Sequence, residues 1–287
     1  MTGIRPGRDF PIIDVHTHLY PERLFAAVRR WFGERGWHCR YPTGPEEVAA
    51  ELRARGVERF WFFNYAHKPG MARDLNRWNA ETAARLPGAL ALGTVHPADD
   101  DLMAISGEAV DRLGLPGFKL HLDVQRFALD DPRLDPFLSF VEERGRVLVV
   151  HGGTAASFFD SGLVGIAPFR RALRKHPRLR VIAAHMGAYE VMEFLALTRE
   201  YEGVHLDTCF CFRNDHGPRP PFSCGVDYDI EALSAARDRI LFGSDFPNIP
   251  FDWEKEVDEL LRLDLDEAFY RKVFHENARA LMARLGC

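Results

Sequence analysis

Seven polar residues recur in one setting, at or just beyond the end of a short apolar run. His16 and His18 follow "PIIDV", His96 follows "LGTV", and His121, His151 and His185 close "GFKLH", "VLVVH" and "VIAAH". Asp245 stands in the equivalent place in "ILFGSDFP". Imidazoles and carboxylates are ligands for zinc-type divalent ions and are the groups that move protons near neutral pH. His16 and His18 are one residue apart, so on an extended strand their side chains share a face, as two ligands of one ion must. Such a pair is weak by itself, because two structural histidines at a strand end read the same way. The later histidines and Asp245 shift the balance toward ligation. His151 follows a β-branched run where an imidazole needs a partner, and a metal or a hydrogen bond would supply one. Asp245 could be both ligand and general base, since a bound ion lowers the pKa of water and a neighbouring carboxylate can take the proton. "SDFP" is also turn chemistry.

The remaining candidates carry alternatives. His185 could ligate, hold substrate or polarise a carbonyl. Lys119 and His121 share a face. Lys119 could bind an anionic substrate group, bridge two metals if carboxylated, or pair with a buried carboxylate. His96 could line the pocket or be structural. Asp14 should share the face of His16 and His18 at a deeper level, as an orienting or structural carboxylate. Asp207 in "HLDTC" reads as structural. Cys209 and Cys211 are a poor soft-metal pair without histidine partners nearby. Arg126 and Arg213 are anion-holding candidates in loops, and the other histidines read as ordinary.

Groups so far apart in the chain need a frame that gathers them. Continuous apolar runs predict strands at Ile12–His16, Arg59–Asn64, Ala89–Val95, Gly117–His121, Val147–His151, Val181–His185, Val204–Thr208 and Ile240–Gly243. Runs without alternation suit parallel strands covered on both faces. Helical patterns lie between them, as in "PEEVAAELRARG", where Gly56 is a C-cap candidate. Eight strand–helix repeats predict a closed (β/α)8 barrel of the TIM type, one domain over residues 1–287, with the site at the C-terminal rim of the strands. An open doubly wound sheet is the competing topology, but neither G-x-G-x-x-G nor G-x-x-x-x-G-K-[ST] is present. The Pro- and Gly-rich stretch from Cys209 to Asp227 is either a cover for the site or a surface excursion.

Composition narrows the function class. The 287 residues carry 37 basic and 42 acidic side chains, a net charge of −5, and 46% hydrophobic content. No basic stripe suggests nucleic acid or a membrane surface. No apolar run could span a bilayer. The beginning of the chain lacks the apolar core of a signal peptide, and five irregularly spaced cysteines do not form a disulfide framework. A cytoplasmic enzyme of small molecules is therefore expected.

"DVHTH", "GFKLH", "VVHGG", "AAHMG" and "LFGSDFP", in this order, resemble the amidohydrolase superfamily. The closer similarity is to its amidohydrolase-2 group, which includes the aminocarboxymuconate-semialdehyde decarboxylase-like enzymes. "LNRWNAETAARLPGALALGTVHPAD" and "HENARAL" extend the likeness to nearly the whole chain. The resemblance implies a distorted barrel with one divalent metal, commonly Zn2+, held by His16, His18, His151 and Asp245, with His185 orienting water or substrate. Mn2+ is an alternative, as is the two-metal arrangement with carboxylated Lys119. Two reactions follow. In the first, metal-activated water attacks an amide, ester or lactone, with Asp245 as base and His185 beside the oxyanion. In the second, an unsaturated or aromatic acid is decarboxylated or a related diacid hydrated, with Lys119, His121 and His96 among the substrate-binding candidates. The substrate is expected to bear a carboxylate, and a homodimer is consistent with the group.

Overall fold

The computed structural model describes residues 3–154, 162–212 and 228–287. Eight strands follow in order: β1 Ile12–His18, β2 Val57–Phe63, β3 Ala89–Ala91, β4 Gly117–His121, β5 Val147–His151, β6 Arg180–Ala183, β7 Val204–Asp207 and β8 Ile240–Leu241. Each adjacent pair within β1–β3 and within β4–β8 runs parallel. This is the order of a TIM barrel, with helices such as Pro45–Ala54, Ala72–Arg85, Asp135–Glu143, Ile166–Lys175 and Val191–Glu200 between strands. Pro45 opens its helix at a position where its missing N–H costs nothing, and Glu46 and Glu47 favour the same first turn. Gly56, beyond the last turn, has φ 81° and provides the left-handed exit expected there.

The expectation of one unbroken closed ladder needs correction. The strands form two sheets, β1–β2–β3 and β4–β8, because β3 and β8 are shorter than predicted. Irregular backbone bridges both seams. The Lys119 amide donates to the Gly93 carbonyl at 2.7 Å, and Gly93 donates to Gly117 at 2.8 Å. At the other seam Val15 donates to Phe242 at 2.9 Å, Asp245 to His16 at 2.8 Å and His18 to Phe246 at 2.7 Å. The second seam therefore joins the His16–His18 stretch directly to the turn bearing Asp245.

Two apolar layers follow from alternation along the strands. Ile12, Phe60, Phe62, Leu120, Val150 and Leu206 pack outward among the helices. Ile13, Val15, Trp61, Phe63, Val147, Val149, Ile182 and Leu241 fill the inside. Ala278, Leu281, Met282 and Leu285 of the helix Asn277–Leu285 join this inner group. That helix packs under the barrel, leaving the polar strand ends at the opposite rim.

β1 carries a register irregularity between Asp14 and Thr17. Ile13 and Val15 face the inner layer, so Asp14 does not lie beneath His16 as expected. It accepts instead from Ser244 Oγ at 2.5 Å, and its other oxygen accepts from the Ser244 amide at 3.2 Å and the His16 amide at 3.1 Å. Burial pushes the Asp14 carboxyl up to about 7 against these hydrogen bonds. No described helix is long and apolar enough to cross a membrane.

Candidate metal centre

His16, His18 and Asp245 converge where β1 meets the turn after β8. One ligand atom from each lies within 4.8 Å of the others. Asp245 Oδ1 is 2.8 Å from His18 Nε2 and 3.4 Å from His16 Nε2. His16 Nε2 is buried and has no hydrogen-bond partner, a costly state for a polar nitrogen unless something binds it. The Asp245 side chain is 17% exposed, so the cluster reaches solvent on its side. Burial alone would raise the Asp245 carboxyl, but His18, followed by His16 and His185, holds it down at about 2.

The second nitrogen of each imidazole explains how the rings are aimed. His18 Nδ1 lies 3.2 Å from the Phe63 carbonyl and 3.1 Å from the Tyr20 hydroxyl. A carbonyl only accepts, so His18 Nδ1 donates to Phe63, while Nε2 faces the Asp245 carboxylate, where an ion would take its lone pair. His16 Nδ1 lies 2.8 Å from Asp207 Oδ2. Burial, with the nearby Lys119 charge, pushes the His16 imidazole down to about 3. Against the tendency of burial, His16 and His185 hold the Asp207 carboxyl well below the usual carboxylate range.

His151 is not among the atoms gathered within 4.8 Å. β5 places its ring parallel to His121, with centroids 4.0 Å apart, and its Nδ1 3.2 Å from His185 Nε2. His185 Nδ1 is 3.2 Å from the Cys209 carbonyl, so that nitrogen is the donor. Burial keeps His185 neutral by lowering its pKa. Its Nε2 therefore accepts from His151 Nδ1–H, and His151 retains Nε2 as its lone-pair nitrogen. His16 and His151 thus each turn Nδ1 to a hydrogen-bond acceptor and leave Nε2 free of one.

Lys119 lies beside this group rather than in it. Its Nζ is buried, lacks a hydrogen-bond partner and sits 4.5 Å over the Phe63 ring. Burial brings it down to about 8. The same ring contacts His16 and His18, with centroids 4.8 and 5.0 Å away. His121 contacts Tyr65 at 4.9 Å, and burial pushes its pKa well down. His96 is held elsewhere: its Nδ1 accepts from the Ala98 amide at 3.2 Å and its ring packs against Phe127. Arg126 follows the short helix Leu122–Gln125 with φ 63°. Arg213 and most of the Cys209–Asp227 stretch lie outside the described residues.

Asp207, Phe63, Tyr20 and Tyr65 were not read from the sequence as parts of this centre. Only Asp207 carried a signal, because it ends its apolar run as the histidines end theirs. Gly243 also matters: a Cβ there would lie 2.7 Å from both Cys209 Sγ and His16 Cβ. Glycine is what lets β8 pass this close to β1 and the end of β7.

A family model described as amidohydrolase (Amidohydro_2) matches residues 13–283. An uncharacterised TIM-barrel protein from Bordetella bronchiseptica superposes with a TM-score of 0.75 at 21% identity, covering 97% of this chain and 100% of its own. A variant of 5-carboxyvanillate decarboxylase from Novosphingobium aromaticivorans, solved with manganese and 3-methoxy-4-hydroxy-5-nitrobenzoic acid, gives 0.68 at 16% identity, covering 95% and 97%. A Pseudomonas putida protein described as a candidate 2-pyrone-4,6-dicarboxylic acid hydrolase gives 0.66 at 19% identity, covering 96% and 98%. At these identities the likeness shows the TIM-barrel fold.

Proposed function

The chain belongs to the amidohydrolase family, and from that premise we propose that it is a metal-dependent hydrolase of a carboxylate-bearing small molecule. His16, His18, His151 and Asp245 would hold one divalent ion, with Zn2+ favoured by three imidazoles and a carboxylate. The observation that carries this reading is His16 Nε2, buried, aimed at Asp245 and without a hydrogen-bond partner. The residues fit a cation: one imidazole nitrogen each of His16 and His18 and an ionised carboxylate gather within 4.8 Å. Mn2+ is the alternative ion, as in the decarboxylase variant above.

When bound, the ion supplies Lewis-acid polarisation and a lowered water pKa. Asp245 does the proton work. Its carboxylate takes a proton from the attacking water and passes it to the leaving oxygen or nitrogen as the acyl bond breaks. Lys119 supplies a buried positive charge for the substrate carboxylate, next to Phe63 and His121. His185 has both ring nitrogens engaged, so its present contribution is to hold His151. The expected oxyanion role would require it to release that contact.

Lys119 also favours a second reading, decarboxylation of an unsaturated or aromatic acid. A buried ammonium with no carboxylate partner suits a substrate anion. Asp245, ionised at rest, would relay a proton from solvent to the carbon that loses its carboxylate as the carbon–carboxylate bond breaks and CO2 departs. Elemental analysis comes first. Absence of bound metal after purification and reconstitution would rule out both readings. Turnover of lactones or esters supports the hydrolase, and CO2 release from aromatic or muconate-type acids without ester turnover replaces it with the lyase.

A further inference from the structure

We propose that Asp207 is the positioning residue of this centre, setting the tautomer of His16 and the backbone of His185 with one carboxylate. The inference rests on the metal-centre reading above. Asp207 is fully buried at the end of β7. Its Oδ2 lies 2.8 Å from His16 Nδ1, and its Oδ1 accepts the His185 amide at 2.9 Å. The first contact keeps the His16 proton on Nδ1 and the lone pair on Nε2, the atom that points to His18 and Asp245. The second holds a residue whose φ of 55° and ψ of 31° are unfavourable for any side chain with a Cβ. Held there, His185 donates from Nδ1 to the Cys209 carbonyl and accepts from His151 at Nε2. One carboxylate on β7 therefore governs the nitrogen offered by His16 and, through His185, the one offered by His151.

A role limited to filling space would tolerate an amide of the same shape. The double contact does not. Two carboxylate oxygens meet two N–H donors, whereas asparagine offers one acceptor and one NH2. In Asp207→Asn that NH2 must turn toward His16, driving its proton onto Nε2, or toward the His185 amide, donor against donor. Either choice spoils the ligand set without changing side-chain volume.

Two measurements test this. Nitrogen-15 spectra of histidine-labelled, metal-free wild type, with the His16 signal assigned from His16→Gln, should show Nδ1 protonated, and an Nε2–H tautomer overturns the inference. Chelator competition with Mn2+ should show Asp207→Asn binding about 10- to 100-fold more weakly than wild type with an unchanged far-UV spectrum. Equal affinity overturns the inference. Wild type that binds no Mn2+ or Zn2+ defeats the metal-centre reading instead, and the tautomer measurement then decides the role of Asp207. The same measurement decides it if the asparagine variant does not fold.

Discussion

The ammonium of Lys119 rests 4.5 Å over the ring of Phe63 and has no hydrogen-bond partner. A cation–π contact only partly replaces the hydration lost on burial. Lys119→Met keeps the volume and removes the charge. The variant should be more stable by about 1–3 kcal/mol in urea unfolding. Its KM for a carboxylate substrate should rise about tenfold or more, while an uncharged analogue is little affected. A less stable variant with unchanged KM would remove Lys119 from substrate binding.

Asp245 is assigned both proton transfer and one ligand position, and these separate under mutation. Asp245→Asn should lower kcat by about 10²- to 10⁴-fold. Metal should remain bound through the histidines, whereas the double change of His16 and His18 to Ala should lose it. Steady-state kinetics with metal analysis on the same preparations distinguishes them, and full activity in Asp245→Asn would exclude the base role.

Gly243 is a packing prediction. The added methyl of Gly243→Ala meets His16 Cβ and Cys209 Sγ at 2.7 Å. Overpacking of this kind costs about 1–3 kcal/mol. The displaced atoms belong to His16, so metal affinity should fall along with the urea midpoint. A change in stability with unaltered affinity would show that β1 absorbs the methyl without moving its imidazole.

Acid stability should depend on His205, which lies away from the metal centre. Burial, with Arg239, Arg284 and Arg180 nearby, pushes it down to about 4 despite the Gly203 carbonyl. The unfolded chain takes up this proton near 6.5 and the native state only near 4. The contribution to stability is thus complete above 6.5 and is lost as pH falls through 4, on the order of 3 kcal/mol. His205→Gln should flatten that part of the stability profile, measured by urea unfolding at pH 7.5 and 4. Parallel profiles for the two proteins would contradict it.

Much of the architecture was legible because buried parallel strands leave uninterrupted apolar runs. All eight strands lie where such runs were read, and the His16–His18–Asp245 convergence follows from their barrel order. The phase of β1 was not legible. A one-residue irregularity between Asp14 and Thr17 leaves no mark in composition, yet it turns Asp14 toward Ser244. Asp207 was underestimated for a related reason. Its meaning lies in His16, 191 residues earlier in the chain, and the contact exists only once β7 and β1 stand in one barrel. The pairing of His151 with His185 was hidden similarly, because the runs that carry them show the position of each ring but not which nitrogen meets which.

The helix Asn277–Leu285 gives the barrel a floor. Leu281, Met282 and Leu285 press against the inner residues at the lower ends of the strands, so among the described residues that end of the barrel is filled by apolar side chains. The final helix is thus the stopper of the vessel: losing its last two turns would open the inner apolar group to water.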